Sequence, residues 1–288
     1  MKIRNTVITA VLLAVLPAFS ARAAINTLAD IVFVVDESGS MAGEHTWLGT
    51  MVAGFNTNLV TAGVTDAKFG LVGYGNNLNP GINGRTLTDF TSAASFSTAT
   101  GSLVTNGGTE DGYAGIAYAL SNLTFRSGAA LNVVLVTDED RDNNSSNTYA
   151  SIISALNAKS ALLNVVVNGT FRNSAGTIGL GHDSDGNAYL ANGSGGYTVS
   201  PIGTATGTGS TILDYYNMAL ATGGAAWDLN QLRSGGNNAA SFTAAFTAIK
   251  VAEIINQPPS NNVPDSGMTI VLLLGSLAAI GGVRRRMA

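Results

Sequence analysis

Strand-like and helix-like segments alternate along most of this chain. Residues 31–35, Ile-Val-Phe-Val-Val, form an unbroken apolar run, which predicts a fully buried strand. Other apolar segments predict further strands at 67–74, 86–90, 131–136, 162–167 and 225–229. Apolar residues at helical spacing predict helices at 47–60, 92–103, 113–123, 147–160, 212–221 and 241–255. This alternation predicts an α/β fold: a three-layer, doubly wound and mostly parallel sheet with helices on both faces.

The alternation is interrupted between residues 168 and 211, where glycine is frequent and Ser, Thr and Asn are scattered among the glycines. This composition predicts an insertion of loops or short hairpins. The regular pattern resumes at residue 212, so a single domain is predicted over residues 28–255. Residues 256–262 contain two prolines and are predicted to be a linker.

Oxygen-bearing side chains follow the first predicted strand immediately. Asp36, Ser38 and Ser40 are spaced two residues apart just after the apolar run. They are expected at the carboxyl edge of the sheet, where open α/β sheets bind their ligands. Thr109, in a Gly-Gly-Thr loop, and Asp138, after a later strand, can reach the same edge. One carboxylate and two hydroxyls do not saturate a divalent cation, so ligands from these loops and one from outside are expected.

This set of residues resembles the metal-ion-dependent adhesion site of von Willebrand factor type A domains, and the order of the predicted elements resembles that fold. The resemblance implies that Ser38, Ser40 and Thr109 bind the metal directly, Thr109 when a ligand is engaged. It also implies that Asp36 and Asp138 lie close to the metal, partly through water. The implied metal is Mg²⁺, or alternatively Mn²⁺ or Ca²⁺. A carboxylate of a protein or matrix partner would complete its shell.

Simpler explanations exist for each residue taken alone. Asp36 could be a turn residue at a strand end, Ser38 and Ser40 could cap a helix, and Thr109 could cap the next one. The joint pattern favours the metal site. His45 is interpreted as a surface or capping residue. The other acidic residues nearby are interpreted as solvated rim charges and not as ligands: Glu37, Glu110, Asp111 and Asp140.

A second candidate site lies in the glycine-rich insertion. Asp183, Asp185 and Asn187 place oxygens at alternate positions around a turn, as at the start of a calcium-binding loop. The sequence lacks the later bidentate Glu and the helical flanks of an EF-hand. The alternative is a simple Asp/Gly turn.

Composition narrows the classes of function. The chain has 14 basic and 18 acidic residues; without the six basic residues near its two ends, 8 basic residues remain and the net charge is −10. This charge argues against nucleic-acid binding, which relies on Lys and Arg at the phosphates. The chain has no cysteine, so disulfides and thiolate metal sites are excluded. It has two histidines, so few residues could serve in a nucleophile–histidine triad. An enzyme is therefore not expected.

Both ends have features of targeting segments. Residues 1–23 combine basic residues, an apolar stretch and a small-x-small sequence, which predicts a signal peptide; the alternative is an N-terminal membrane anchor. Residues 263–288 comprise Val-Pro-Asp-Ser-Gly, an apolar run and three arginines, and resemble the VPDSG variant of PEP-CTERM sorting signals. This resemblance implies a transmembrane helix that anchors the chain before an exosortase-type membrane protease cleaves it. The alternative is a plain C-terminal membrane anchor.

These features together predict an exported binding protein that is sorted to the cell surface or extracellular matrix. It would hold a divalent cation and dock an acidic group of a protein or matrix partner. The alternative is a non-adhesive structural component of the envelope or matrix, in which the metal only stiffens loops. The two functions differ in whether partner capture depends on the metal.

Overall fold

A computed structural model describes residues 26–78 and 84–258 of this protein. The predicted signal peptide and most of the predicted sorting signal, including its apolar run, lie outside these residues. Within the described ranges, no helix combines the length and the apolar character needed to cross a bilayer.

The described strands form one mixed sheet. In chain order they are β1 (Leu28–Asp36), β2 (Asp66–Tyr74), β3 (Arg85–Thr91), β4 (Ala130–Val136), β5 (Leu162–Val167), β6 (Gly169–Asn173), β7 (Gly181–Asp183), β8 (Asn187–Ala191), β9 (Tyr197–Gly207) and β10 (Ala225–Asp228). Their order across the sheet is β3-β2-β1-β4-β5-β10-β7-β8-β9-β6. The central strands β2, β1, β4, β5 and β10 run parallel, and β3 is antiparallel at one edge. The predicted α/β fold with a mainly parallel central sheet is confirmed.

Helices cover both faces of this sheet. They are α1 (Ala42–Thr61), α2 (Ala93–Thr100), α3 (Gly112–Asn122), α4 (Tyr149–Ala158), α5 (Asn217–Ala221), α6 (Leu229–Arg233) and α7 (Gly236–Asn256). α1, α2 and α7 pack into the hydrophobic core on one face, and α3, α4 and α5 into the core on the other. Because both faces are covered, β4 is buried along its whole length, which explains its continuous apolar sequence.

Helix boundaries differ from the prediction where polar residues take part in the fold. α1 begins at Ala42, five residues before the predicted start. The prediction missed this first turn because its buried side chains, Glu44 and His45, are polar. α7 likewise begins at Gly236. The segment Ile212–Tyr216 is a π-helical turn that leads into α5. Hydrophobic spacing alone does not indicate turns whose buried residues are polar.

The glycine-rich insertion extends the central sheet. β7 pairs antiparallel with β10, β8 and β9 continue the sheet outward, and β6 forms the far edge. Tyr189 of β8 stacks on Trp227 of β10 with ring centroids 5.5 Å apart. The predicted short hairpins are present between β7 and β8 and between β8 and β9, but the length of the 11-residue strand β9 was not predicted. β9 is mostly exposed and rich in Thr and Gly, so it lacks the apolar alternation of a half-buried strand.

The strand order reverses at β1, and this reversal positions the candidate site. The chain moves from β1 outward through β2 to β3, then returns to β4 on the other side of β1. Val35 of β1 pairs with Val136 of β4, so both strands end at the same height. Helices leave such a point in opposite directions, which opens a crevice beyond the carboxyl ends of the strands.

Candidate metal centre

Asp36, the last residue of β1, has a fully buried carboxylate. The backbone N–H of Ser38 donates to Oδ1 at 2.7 Å, and the Thr137 hydroxyl donates to Oδ2 at 2.9 Å. His45 Nε2 lies 2.9 Å from the Asp36 carbonyl oxygen. Because a carbonyl only accepts, this contact places a proton on Nε2. His45 is therefore a buried residue that caps the end of β1, and it does not lie at the surface.

Hydroxyl groups connect the first strand to Asp138, which follows β4. Ser40 Oγ donates to Asp138 Oδ1 at 3.0 Å. The hydroxyl oxygens of Ser38 and Ser40 lie 3.2 Å apart. The structure thus brings together four of the five residues that the sequence analysis singled out, in a chain of oxygens from Asp36 to Asp138.

Two glycines allow the loop that contains Thr109 to reach the same edge. A Cβ on Gly107 would lie 1.7 Å from the carbonyl oxygen of Gly75, and a Cβ on Gly75 would lie 2.9 Å from the carbonyl oxygen of Thr109. Gly107 also pairs with Ser38 in an isolated parallel bridge. The loop therefore lies directly against the end of β1. The side chain of Thr109 is exposed and makes no hydrogen bond with any described residue.

Glu110, next to Thr109, supplies a third carboxylate. One carboxylate oxygen from each of Asp36, Glu110 and Asp138 lies within 4.8 Å of the others. Glu110 is buried, and its Oε2 has no hydrogen-bond partner. The interpretation of Glu110 as a solvated rim charge is therefore wrong. Three carboxylates this close repel one another unless protons or a cation neutralise them.

Two of these carboxylates, Glu110 and Asp36, bind a proton more tightly than an ordinary acidic side chain does. Burial raises the pKa of Glu110 to about 8, and the charge of Asp36 adds to the shift. Burial also raises the pKa of Asp36 to about 6, against the opposing effect of its hydrogen bonds from Ser38 and Thr137. A divalent cation would favour the ionised forms and lower both pKa values.

The other acidic residues near the edge have structural partners. Glu37 is fully buried and accepts from Arg85 Nε at 2.9 Å. Asp111 is buried and pairs with Arg141 at 2.7 Å. Asp140 is half-buried and accepts a backbone N–H at 3.1 Å. The interpretation as solvated rim charges is wrong for Glu37 and Asp111, which are buried and paired, whereas Asp140 remains partly exposed.

One residue of this edge, Arg233 at the end of α6, was not predicted from the sequence. Its Nη2 lies 2.9 Å from Asp138 Oδ2 and 3.1 Å from the carbonyl oxygen of Ser40. Its Nε donates to Glu44 Oε1 at 2.7 Å. Because loops after parallel strands meet at one edge, a basic residue just after the last predicted strand was the available signal.

The second candidate site forms the turn between β7 and β8. Asp183 Oδ1 accepts the backbone N–H groups of Asp185 and Asn187 at 3.0 Å and 2.8 Å. Its Oδ2 accepts from the Asn187 side-chain amide at 3.0 Å and from the Tyr189 hydroxyl. Both oxygens of Asp183 are thus engaged within the protein, as the alternative of an Asp/Gly turn predicts.

The residues at the carboxyl edge fit a divalent cation. Carboxylate and hydroxyl oxygens are the hard ligands that Mg²⁺, Mn²⁺ and Ca²⁺ prefer. Buried acceptors normally have a partner, and a cation would provide one for Glu110 Oε2.

The fold and this group of oxygens define an α/β domain with a candidate divalent-cation site where its strand order reverses. The family model for the von Willebrand factor type A domain matches residues 30–192, more than half of the chain, and the chain belongs to this family. The model for the VPDSG-CTERM motif matches residues 262–287. This motif implies exosortase processing and suggests export and surface sorting. Both resemblances inferred from the sequence are confirmed.

Among solved structures, the chain is similar to proximal thread matrix protein 1 from the mussel byssus. One crystal form shares 19% sequence identity with a TM-score of 0.36, and the match covers 49% of this chain and 36% of that one. A structure with a zinc-occupied MIDAS motif shares 20% identity with a TM-score of 0.38, covering 50% of this chain and 36% of that one. This chain therefore spans little more than a third of that protein's length. A comparison with curated proteins found no match.

Proposed function

We propose that this exported protein binds a divalent cation at the carboxyl edge of its sheet and uses it to dock an acidic group of a protein or matrix partner. The observation that carries this proposal is the convergence of carboxylates from three separate segments within 4.8 Å, one with a buried oxygen that lacks a partner. A purely structural polar cluster would satisfy such an oxygen internally.

The proposed ligands are those expected from the sequence, with one addition. Ser38, Ser40 and Thr109 would bind the cation through hydroxyls, and Asp36 and Asp138 would lie close to it. We add Glu110 because its carboxylate belongs to the same group. The cation would supply an open coordination position, which a partner's carboxylate can fill. Mg²⁺ is proposed first, with Mn²⁺ or Ca²⁺ as alternatives.

The test combines metal titration with capture of the partner. We expect Asp36→Asn to abolish tight Mg²⁺ or Mn²⁺ binding in calorimetry, because it removes a buried negative charge while keeping nearly the same shape. Partners captured by the exported chain in Mg²⁺ should be lost in EDTA and with Asp36→Asn. Asp89→Asn, at an exposed acidic residue outside the site, is the matched control and should leave both unchanged. Capture that persists in EDTA and with Asp36→Asn would overturn the adhesion mechanism.

A second candidate function is a structural component of the envelope or matrix with a metal that only stiffens loops. The observation that favours it is the number of internal contacts at this edge, since the Ser40 hydroxyl and Arg233 both bind Asp138. In that case metal would raise stability without changing partner capture. We do not propose an enzyme, because the two histidines are buried and hydrogen-bonded within the protein.

The proposed domain organisation follows the sequence. We propose a signal peptide over residues 1–23, the domain over residues 28–255 and a linker over residues 256–262. The sorting signal would occupy residues 263–288, with the apolar run as a transient membrane anchor. The helices and strands that the structure describes begin at Leu28 and end at Asn256, which supports the domain limits.

A further inference from the structure

Arg233 contacts two of the segments that form the proposed cation site. Its guanidinium contacts Asp138 and the Ser40 carbonyl through Nη2, and Glu44 through Nε. The side chain of Glu44 is almost fully buried, whereas 34% of the Arg233 side chain is exposed. Glu44 therefore fixes the orientation of a guanidinium that remains partly open to solvent.

One end of this guanidinium is unused. Among the described residues, Nη1 of Arg233 has no hydrogen-bond acceptor, although Nε and Nη2 are both engaged. The guanidinium group has five N–H donors in a planar fork that matches a carboxylate. An oriented guanidinium with free donors beside a cation site is suited to hold an acidic group.

The charges at the site also favour a role for Arg233 in binding an acidic group. Asp36, Glu110 and Asp138 contribute three negative charges when ionised, which a divalent cation does not fully neutralise. A further carboxylate would then meet a net negative site. Arg233 is the one cationic side chain in contact with this group within the described part of the chain. It offsets part of this negative charge, although Glu44 pairs with the same guanidinium, and it lowers the electrostatic barrier to an acidic partner.

We propose that Arg233 is a specificity-determining residue that holds the partner's carboxylate through Nη1 while the cation binds the same group. This inference rests on the proposed function and adds to it a reason why the site selects acidic ligands. Arg233 makes docking of a carboxylate favourable, and it slightly weakens cation binding because it is a like charge nearby. A residue that only tied loops together would support both kinds of binding.

The experiment uses the exported chain, Mn²⁺ as the metal and acetate as the carboxylate. Water-proton relaxation reports Mn²⁺ binding, and acetate that displaces water from the bound ion lowers the relaxation rate. Acetate replaces chloride at constant ionic strength, so that screening does not change. We expect Arg233→Gln to leave the Mn²⁺ affinity unchanged or tighter. Its acetate affinity should fall roughly fivefold or more, in keeping with the loss of a partly exposed charge-assisted contact.

Two further variants make the result specific. Arg126→Gln removes a similarly exposed arginine that pairs with Asp30 and Asp66, and it should change neither affinity. Arg233→Lys keeps the charge but loses the planar fork, so its acetate affinity should lie between those of the wild type and Arg233→Gln.

Each contrary result has a distinct meaning. Unchanged acetate affinity in Arg233→Gln overturns the role of Arg233 and leaves the metal site intact. A parallel loss of Mn²⁺ affinity overturns it too, because it would show that Arg233 only positions the loops. Wild-type protein that binds Mn²⁺ but not acetate removes both the adhesion mechanism and this inference. Wild-type protein that binds no Mn²⁺ removes the proposed metal site itself.

Discussion

Neighbouring acidic residues at this site differ in what surrounds them. Burial raises the pKa of Glu110, the charges of Asp36 and Asp138 add to the shift, and a hydrogen bond from Ser38 opposes it only in part. Asp111 is also buried, but hydrogen bonds from Arg141 and Ser145 outweigh burial and lower its pKa. One carboxylate is thus satisfied within the protein while its neighbour is left with an unpartnered oxygen. The contrast separates a structural acid from a candidate ligand.

This difference predicts how Glu110 affects stability in the absence of metal. The pKa of Glu110 is raised from 4.5 to about 8 in the folded protein, so the folded state binds the proton more tightly than the unfolded state. As the pH rises from about 4.5 to about 8, this group therefore reduces the stability of the wild type. Glu110→Gln mimics the protonated form and removes the effect. In EDTA, the melting temperature of Glu110→Gln relative to that of the wild type should rise across this pH range and stay constant above it.

The control for this prediction is Asp89→Asn, at an exposed acidic residue outside the site. Its melting temperature should follow the pH dependence of the wild type. Parallel curves for the wild type and Glu110→Gln would show that Glu110 is not held in its protonated form. The same measurement in Mg²⁺ should abolish or reverse this gain of the variant, because the cation stabilises the ionised Glu110 of the wild type.

At the scale of elements, the close approach of two loops assembles the site. The Gly107 backbone lies against Gly75, and a Cβ on Gly107 would fall 1.7 Å from a carbonyl oxygen. We expect Gly107→Ala to lower the unfolding free energy by about 1–3 kcal/mol, the usual cost of forced packing, and to weaken Mn²⁺ binding. Denaturant unfolding and metal titration measure the two effects. Gly108→Ala has nothing within 4 Å of the added Cβ and should change neither.

Most of the central fold was predictable from the sequence because its strands are buried on both faces. The apolar runs of β1 and β4 and the helical spacing of α1 leave little choice of structure. The length of strand β9 was not predicted because its residues are largely exposed, so no apolar period marks it. Short α6 was missed because five residues are too few to show a period.

The candidate site shows the same division. Asp36 and Asp138 could be placed together from sequence, since both follow buried strands of one parallel sheet. Glu110 could not be distinguished from Asp111, because burial and pairing depend on residues that only the tertiary structure brings close. Arg233 is 95 residues from its partner Asp138; its position just after the last predicted strand suggests this edge but does not specify the contact.

At the scale of the whole molecule, the candidate site lies at the carboxyl ends of the parallel strands, and the domain ends near their amino ends. Gln257 donates to the carbonyl oxygen of Leu131, near the amino end of β4, at 2.9 Å. Asn26, at the start of the described chain, donates to the carbonyl oxygen of Ile254 at 2.8 Å. The chain therefore enters and leaves the domain at the edge opposite the carboxyl ends of the strands.

Metal binding should stabilise the whole domain, because the proposed ligands converge only in the folded state. A cation present at 100 times its dissociation constant contributes about 2.7 kcal/mol, which corresponds to roughly 5–10 °C in melting temperature for a domain of this size. The acidic charge of the protein makes non-specific stabilisation by any salt a competing effect. Asp36→Asn changes the net charge by one, so screening acts almost equally on the variant and the wild type. We expect Mg²⁺ to raise the melting temperature of the wild type well beyond that of Asp36→Asn, measured against sodium chloride of equal ionic strength. Equal shifts in both proteins would mean that the cation acts by screening and that the carboxylates do not form a specific site.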